Sequence, residues 1–148
     1  KRVWLLFSGK SWRAALAQGK AAVIRSDLDI VIARTLARDT AKNMGFGAID
    51  QARIATAVSE LARNIFLYAG TGTVTVRELD RSGRRGIEIM CEDQGPGISN
   101  IEVVMQDGYS TSRGMGMGLP GAKRLMDEFE IRSHEGIGTT IVCRKWRV

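Results

Sequence analysis

A single carboxylate at the end of an alternating strand is the first feature of the sequence that could carry chemistry. Residues 87–92 have the two-residue period of a half-buried strand, with Met90 between two glutamates on the more polar side, and Asp93 follows them directly. Gly95, Pro96 and Gly97 then predict a turn whose backbone can approach a ligand closely. A carboxylate beside backbone without side chains suits a nucleobase that offers an amino donor. The alternative is a solvated Asp before an ordinary turn.

A second candidate pair, Glu60 and Asn64, lies on a predicted helix with an apolar stripe. The spacing i, i+4 makes the two side chains project from the same face of that helix. The amide oxygen of Asn64 suits Mg²⁺, which prefers oxygen ligands and keeps several waters, and Glu60 could accept a proton one turn away. The alternative is an ordinary pair of surface residues.

A glycine-rich segment is the third candidate, because Gly116, Gly118 and Gly121 satisfy the pattern G-x-G-x-x-G. A dinucleotide fingerprint requires a strand immediately before the first glycine, and here a polar segment at 107–113 precedes it, so that interpretation is rejected. Bare backbone N–H groups ahead of a predicted helix at 122–129 nevertheless favour a phosphate group. The alternative is a flexible glycine hinge.

The predicted helices and strands must bring these three segments together. An edge strand at 24–30 leads into a helix that opens near Asp29 and ends near Gly45, and Asp50 is the predicted N-cap of a second helix. Further elements follow in order: a strand around 74–76, a hairpin turn at 81–86, the strand at 87–92, a short helix at 98–105, and strands at 130–133 and 140–146. The pattern predicts a two-layer α/β sandwich, with helices on one face of a mixed, largely antiparallel sheet.

Composition bounds the class of protein. The 148 residues suit one domain, and no apolar run reaches the length of a membrane span, so no membrane partner is expected. Residues 1–20 hold basic but no acidic side chains, and we expect a disordered or foreign extension there and the domain at 21–148. The domain is nearly neutral, which argues against a nucleic-acid partner. Cys91 and Cys143 are predicted to be reduced core residues of a cytoplasmic protein.

The order and spacing of four segments resemble the GHKL superfamily, whose members share the Bergerat ATP-binding fold. These segments are Glu60-x-x-x-Asn64, Asp93-x-Gly95-x-Gly97, Gly114-x-Gly116-x-Gly118 and Gly136-x-Gly138-Thr139. Within the superfamily, residues 22–148 are similar to the RsbT family of stressosome switch kinases, on the segments 59–70, 93–98, 107–112 and 119–130. Anti-sigma factor kinases usually carry His where this chain has Tyr68, and that difference favours RsbT.

The resemblance implies a role for each matching residue. Asp93 is expected to hold the adenine amino group, with Thr139 nearby through a water. Asn64 is expected to hold Mg²⁺, and Glu60 to orient or deprotonate the attacking serine hydroxyl. The remaining implied contacts with ATP, including those of a short lid that cradles the phosphates, are at Gly95, Gly97, Ile98, Gly114, Met115, Gly116, Met117, Gly118 and Leu119.

The resemblance also implies a function, an ATP- and Mg²⁺-dependent serine/threonine kinase in stress signalling. Its expected substrates are STAS-domain proteins of the stressosome, and after release it is expected to activate a PP2C-type phosphatase. A second hypothesis is an anti-sigma factor kinase that binds a sigma factor and phosphorylates an anti-anti-sigma factor. A third is a binding module that only sequesters a partner. The presence of Glu60 and Asn64 argues against the third, and Tyr68 with the segment 109–112 argues against the second.

Overall fold

The structure, a computed structural model, describes residues 19–98, 105 and 118–148. The predictions made for the polar segment 107–113 and for Gly114 to Met117 lie outside these residues, as do almost all of the short helix at 98–105 and of the basic extension. Within the described ranges, no helix combines the length and the apolar character needed to cross a lipid bilayer.

One antiparallel sheet of five strands forms the centre of the described chain. Its order is β1-β2-β3-β5-β4, so β1 and β4 are the edges. The strands are β1 (Lys20–Ile24), β2 (Gly72–Arg81), β3 (Arg84–Asp93), β4 (Glu128–His134) and β5 (Gly138–Trp146). Ser82 and Gly83 join β2 to β3 with φ angles of 56° and 84°, the left-handed values of a type I′ hairpin turn.

Three helices complete the described fold: α1 (Asp27–Asn43), α2 (Ala48–Tyr68) and α3 (Gly118–Leu125). Alternate residues of the central strands, among them Val74, Val76, Ile87, Ile89 and Cys91, form a core with the buried faces of these helices. Burying one face of an amphipathic helix against one face of a sheet is the main source of stability in such an architecture. The predicted two-layer sandwich is therefore confirmed.

The predicted bounds of the first strand are wrong, and α1 starts slightly earlier than the residue named for it. The first strand ends at Ile24 rather than continuing to Ile30, and α1 begins at Asp27 rather than near Asp29. The reason is Ser26, which is the N-cap. Its Oγ accepts a hydrogen bond from the Asp29 backbone N–H at 3.3 Å and donates to the Asp29 carboxylate at 3.1 Å. Asp29 therefore belongs to the first helical turn, as in a capping box.

The predicted start of α2 is wrong, because the N-cap is Gly47. Glycine has no side chain, so no side-chain hydrogen bond caps this helix. Asp50 lies in the first turn of α2 instead. Its Oδ1 atom lies 3.0 Å from Nη1 of Arg53 and 3.8 Å from Nζ of Lys145. The carboxylate of Asp50 is thus paired with two basic side chains instead of capping the helix.

The predicted helix at 122–129 is wrong at both ends. Helix α3 covers Gly118–Leu125, so it starts earlier, and Phe129 is a residue of β4. Pro120 explains the early start, since proline is tolerated in the first turn of a helix, where its missing N–H has no partner to lose. The C-terminal end is held by Lys145, whose Nζ donates to the Leu125 carbonyl at 2.9 Å.

The face of the sheet opposite the helices carries a buried ion cluster centred on Glu88. This carboxylate accepts hydrogen bonds from Nε of Arg77 at 2.7 Å and from Nε of Arg144 at 2.8 Å. Arg144 also donates to Glu128 at 3.0 Å, which links β4 to the cluster. With only 5% of Glu88 exposed, these partners compensate for the loss of water around its charge.

We expect Ser26→Ala to lower the free energy of unfolding by about 1 kcal/mol, because the first turn of α1 loses its side-chain cap. Ser26→Thr keeps the hydroxyl and should remain close to the wild type. Urea unfolding followed by far-UV circular dichroism measures both changes. Equal stability of the Ala variant and the wild type would mean that the cap contributes nothing.

Candidate active site

Asp93 lies at the end of β3, where it pairs with Gly72 of β2 on one side and with Thr139 of β5 on the other. Its Oδ1 atom accepts a hydrogen bond from the Gly95 backbone N–H at 2.9 Å, and the Thr139 backbone N–H also donates to the carboxylate. Burial raises the pKa of Asp93, and the two backbone donors oppose that rise. A carboxylate offers about four acceptor positions, so it can still accept hydrogen bonds from a ligand.

The turn that follows Asp93 is tied to the hairpin between β4 and β5. The Gly136 backbone N–H donates to the Pro96 carbonyl at 2.8 Å, and the Ile98 N–H donates to Oγ of Ser133 at 2.7 Å. Oγ of Ser133 lies 2.9 Å from Oγ1 of Thr139. These contacts bring three predicted residues, Asp93, Ile98 and Thr139, into one region.

Ser133 is the residue that the sequence analysis missed. It pairs with Thr139 across the β4–β5 ladder, and it shares the inward face of β4 with Phe129 and Ile131. The alternation of β4 therefore contains the signal, a polar residue at the end of an otherwise apolar face. Recognising that signal requires the register between β4 and β5, which the sequence alone does not give.

The glycines of this region are required by contacts within the protein. A Cβ atom on Gly95 would lie 2.6 Å from Cβ of Ala69. Gly97 has a φ of 77° and lies against the carbonyl of His134, and Gly138 lies against the carbonyl of Asp93. Each position excludes a side chain for a packing reason. The predicted contact of Gly95 and Gly97 with a nucleotide stays a prediction.

Glu60 and Asn64 both lie on α2 and are half-buried. The backbone N–H of Gly118, the first residue of α3, donates to Oε1 of Glu60 at 3.3 Å. Leu119 is buried in the core directly after this contact. The predicted carboxylate is therefore at the N-terminus of the predicted phosphate helix, where the helix dipole favours negative charge. Among the described residues, none makes a hydrogen bond with the side chain of Asn64.

Helix α2 connects the two groups of candidate residues. Glu60 and Asn64 lie in its second half, and Ala69, the residue that follows the helix, touches Gly95 beside Asp93. At about 1.5 Å of rise per residue, Glu60 and Ala69 are about 13 Å apart along the helix axis. The Asp93 group and the Glu60 group thus lie at two positions along one helix. The predicted residues Gly114, Met115, Gly116 and Met117 are outside the described chain.

The donor set fits a hard divalent cation held by few protein ligands. In the part of the chain that the structure describes, no three His, Cys, Asp or Glu side chains converge as a multi-ligand metal centre. The amide oxygen of Asn64 and the carboxylate of Glu60 are on neighbouring turns of one helix face. Mg²⁺ commonly takes one or two protein oxygens and completes its shell with waters and phosphate oxygens.

Comparison with known proteins matches residues 49–147 to the family of histidine kinase-, DNA gyrase B- and HSP90-like ATPases. The serine/threonine-protein kinase RsbT of Bacillus subtilis is 57% identical over 123 residues, which cover 83% of this chain and 92% of RsbT. The anti-sigma F factor of Caldanaerobacter subterraneus is 34% identical over 101 residues, which cover 64% of this chain and 69% of that protein.

Solved structures agree at the level of the fold. The RsbU and RsbW domains of a Mycobacterium tuberculosis protein superpose with a TM-score of 0.56 and 18% identity, over 87% of this chain and 33% of that one. The mycobacterial sensor histidine kinase MprB gives a TM-score of 0.52 and 17% identity, over 87% of this chain and 97% of that one. The predicted resemblance is confirmed: this chain belongs to the histidine kinase-, DNA gyrase B- and HSP90-like ATPase family and, within it, to the serine/threonine-protein kinases of the RsbT family.

Proposed function

We propose that this kinase uses Mg²⁺ and ATP to phosphorylate a serine or threonine on a STAS-domain protein of a stressosome, and that it then binds and activates a PP2C-type phosphatase. The observation that carries the catalytic part is the Glu60 carboxylate at the N-terminus of α3. This carboxylate is a proton acceptor, and the helix terminus beside it favours a phosphate group. Phosphorylation of a hydroxyl needs both of these groups.

Asp93 is the proposed partner of the adenine amino group. Its carboxylate is positioned by the N–H groups of Gly95 and Thr139, so its free lone pairs have a fixed direction. An ionised carboxylate only accepts hydrogen bonds, and it therefore favours an amino group over a carbonyl oxygen. Thr139 is the adjacent residue in the sheet and would contact the base through a water.

Asn64 is the proposed protein ligand of Mg²⁺, through its amide oxygen. When bound, Mg²⁺ neutralises charge on the phosphate oxygens during transfer. The Gly118 N–H donates to Glu60, so other N–H groups at the start of α3, such as that of Leu119, would hold phosphate oxygens together with the glycine-rich segment before them. The distance along α2 between the Glu60 turn and the Ala69–Gly95 contact is of a size that an extended nucleotide can span.

Glu60 is the proposed general base. Its carboxylate would take the proton of the acceptor hydroxyl as the oxygen attacks phosphorus, and would orient that hydroxyl beforehand. Phosphoryl transfer depends mainly on positioning and charge neutralisation, so one carboxylate on a rigid helix can suffice. Since Glu60 is held by the Gly118 N–H, the base and the start of α3 keep a fixed relation.

A second candidate function is favoured by the relatives named anti-sigma F factor, which are 28–34% identical to this chain. In that case, the bound partner would be a sigma factor and the substrate an anti-anti-sigma factor. Incubation with labelled ATP, Mg²⁺ and purified candidate partners separates the two proposals. We expect label on the STAS-domain scaffold and co-purification with the phosphatase. Retention of a sigma factor instead would establish the second candidate.

We expect Asp93→Asn to lose nucleotide binding. The Asn carbonyl oxygen can keep the hydrogen bond from the Gly95 N–H, which turns its NH₂ toward the adenine amino group. Because burial raises the pKa of Asp93 above its ordinary value of 3.8, the ionised form reduces stability at neutral pH. The variant should therefore unfold at the same or a higher urea concentration than the wild type at pH 7.

Calorimetric titration with ATP and urea unfolding measure these two effects. Glu92→Gln is the matched control, because Glu92 is the neighbouring carboxylate, its pKa is also raised by burial, and it faces the other side of the sheet. The control should bind ATP like the wild type. Unchanged ATP affinity in Asp93→Asn would contradict the adenine assignment.

We expect Glu60→Gln to bind ATP like the wild type and to transfer phosphate at least about 10²-fold more slowly, because Gln keeps an oxygen for the Gly118 N–H but is no base. Glu60→Ala should show the same loss of transfer and a less protected N-terminus of α3 in hydrogen exchange. Single-turnover phosphorylation assays measure the rate. Glu78→Gln, at an exposed carboxylate paired with Arg85, is the control and should remain fully active. A wild-type rate in Glu60→Gln would remove Glu60 from the chemistry.

A further inference from the structure

We infer that Ser133 is a positioning residue that fixes the direction of the Thr139 hydroxyl, and through it makes the site prefer adenine over guanine. Ser133 lies on β4 and pairs with Thr139 in the β4–β5 ladder, while Thr139 pairs with Asp93 on its other side. The inference rests on the proposed nucleotide-binding function and concerns a residue with no expected contact to the nucleotide.

The hydrogen bonds of Ser133 determine where its single proton goes. The Ile98 N–H can only donate, so it occupies one lone pair of Ser133 Oγ at 2.7 Å. The Gly138 carbonyl can only accept, so the Ser133 proton points to it at 3.1 Å. The remaining lone pair of Ser133 faces Oγ1 of Thr139 at 2.9 Å. A lone pair can only accept, so it accepts the proton of the Thr139 hydroxyl. This arrangement satisfies the Ile98 N–H, the two hydroxyl groups and the Gly138 carbonyl together, and it is the one on which the inference is built.

Thr139 is therefore left with lone pairs and no proton for any other partner. Asp93, its neighbour in the sheet, is likewise an acceptor. A water that donates one hydrogen to Thr139 presents its other hydrogen to the base. The site then offers an acceptor at Asp93 beside a donor at the water, which complements the amino group and ring nitrogen of adenine. Guanine has a carbonyl oxygen and an N–H in those two places, so both contacts become repulsive.

Removing the Ser133 hydroxyl frees the Thr139 proton to rotate. Thr139 can then donate to the water, the water can turn a lone pair to the base, and one of the two repulsions with guanine disappears. The loss of the Ile98 contact loosens the turn after Asp93 and lowers the affinities for ATP and GTP by the same factor. The two effects separate in measurement, since the first changes the ratio of the affinities for ATP and GTP and the second does not.

The experiment measures displacement of a fluorescent ADP analogue by ATP and by GTP from the full chain. We expect Ser133→Ala to reduce the ATP-over-GTP preference by roughly three- to tenfold, the size expected when one hydrogen-bond preference is lost. Ser133→Thr, which restores the hydroxyl, should keep the wild-type ratio. In a Thr139→Val background, Ser133→Ala should change the ratio no further, because Ser133 acts through Thr139.

Ser26→Ala is the matched control, since it also removes a serine hydroxyl that supports backbone structure but lies at the cap of α1. It should lower stability and leave the nucleotide ratio unchanged. If Ser133→Ala does not fold, Ser133→Cys replaces it, with a smaller loss of preference in the same direction, because a thiol sulfur is only a weak acceptor for the Thr139 proton. An unchanged ratio in the Ser133 variant, or an additive effect in the Thr139→Val background, would overturn the inference. Binding of neither nucleotide by the wild type would instead overturn the proposed function.

Discussion

Close approach of backbone segments around Asp93 is the constraint on which the arrangement of the site depends. A side chain on Gly72 would collide with the Glu92 carbonyl and with Ile65 of α2, and one on Gly138 would collide with the Asp93 carbonyl. Gly95 meets the end of α2 in the same way. Because these positions lack side chains, the sheet, the turn and the helix can meet at one carboxylate. A larger residue at any of them would separate the elements that position the site.

The same constraint creates opposing requirements at Asp93. Packing removes water from the carboxylate and raises its pKa, while hydrogen bonds from Gly95 and Thr139 favour the ionised form. A fully exposed carboxylate would be ionised at no cost but would be a poor partner for a base, since water competes for its lone pairs. A fully buried one would hold its proton. The partial burial of Asp93 lies between these limits, as is common for residues that serve binding rather than stability.

Much of this fold could be predicted because it follows from periodicity. The alternation of residues 87–92 predicted the central strand before Asp93. The helical spacing of Glu60 and Asn64 predicted that their side chains share one face of α2. The helix starts were mispredicted because several caps compete locally: Ser26 with Asp29, and Gly47 with Asp50. Ser133 and the Glu60–Gly118 contact could not be predicted, because both join segments far apart in the chain. Such contacts depend on strand register and on helix packing, which local patterns do not encode.

The attachment of α3 has a mechanical consequence. Lys145, near the end of β5, donates a hydrogen bond to the carbonyl of the last residue of α3, and it pairs with the carboxylates of Asp127 and Asp50. One end of α3 is therefore clamped to the sheet and to the first turn of α2. At the other end, Gly118 is held by one hydrogen bond to Glu60. Leu119 and Ala122, just inside that end, are buried in the core. Both ends of α3 are therefore anchored, so the first residue of the helix keeps its place relative to the Glu60 turn of α2.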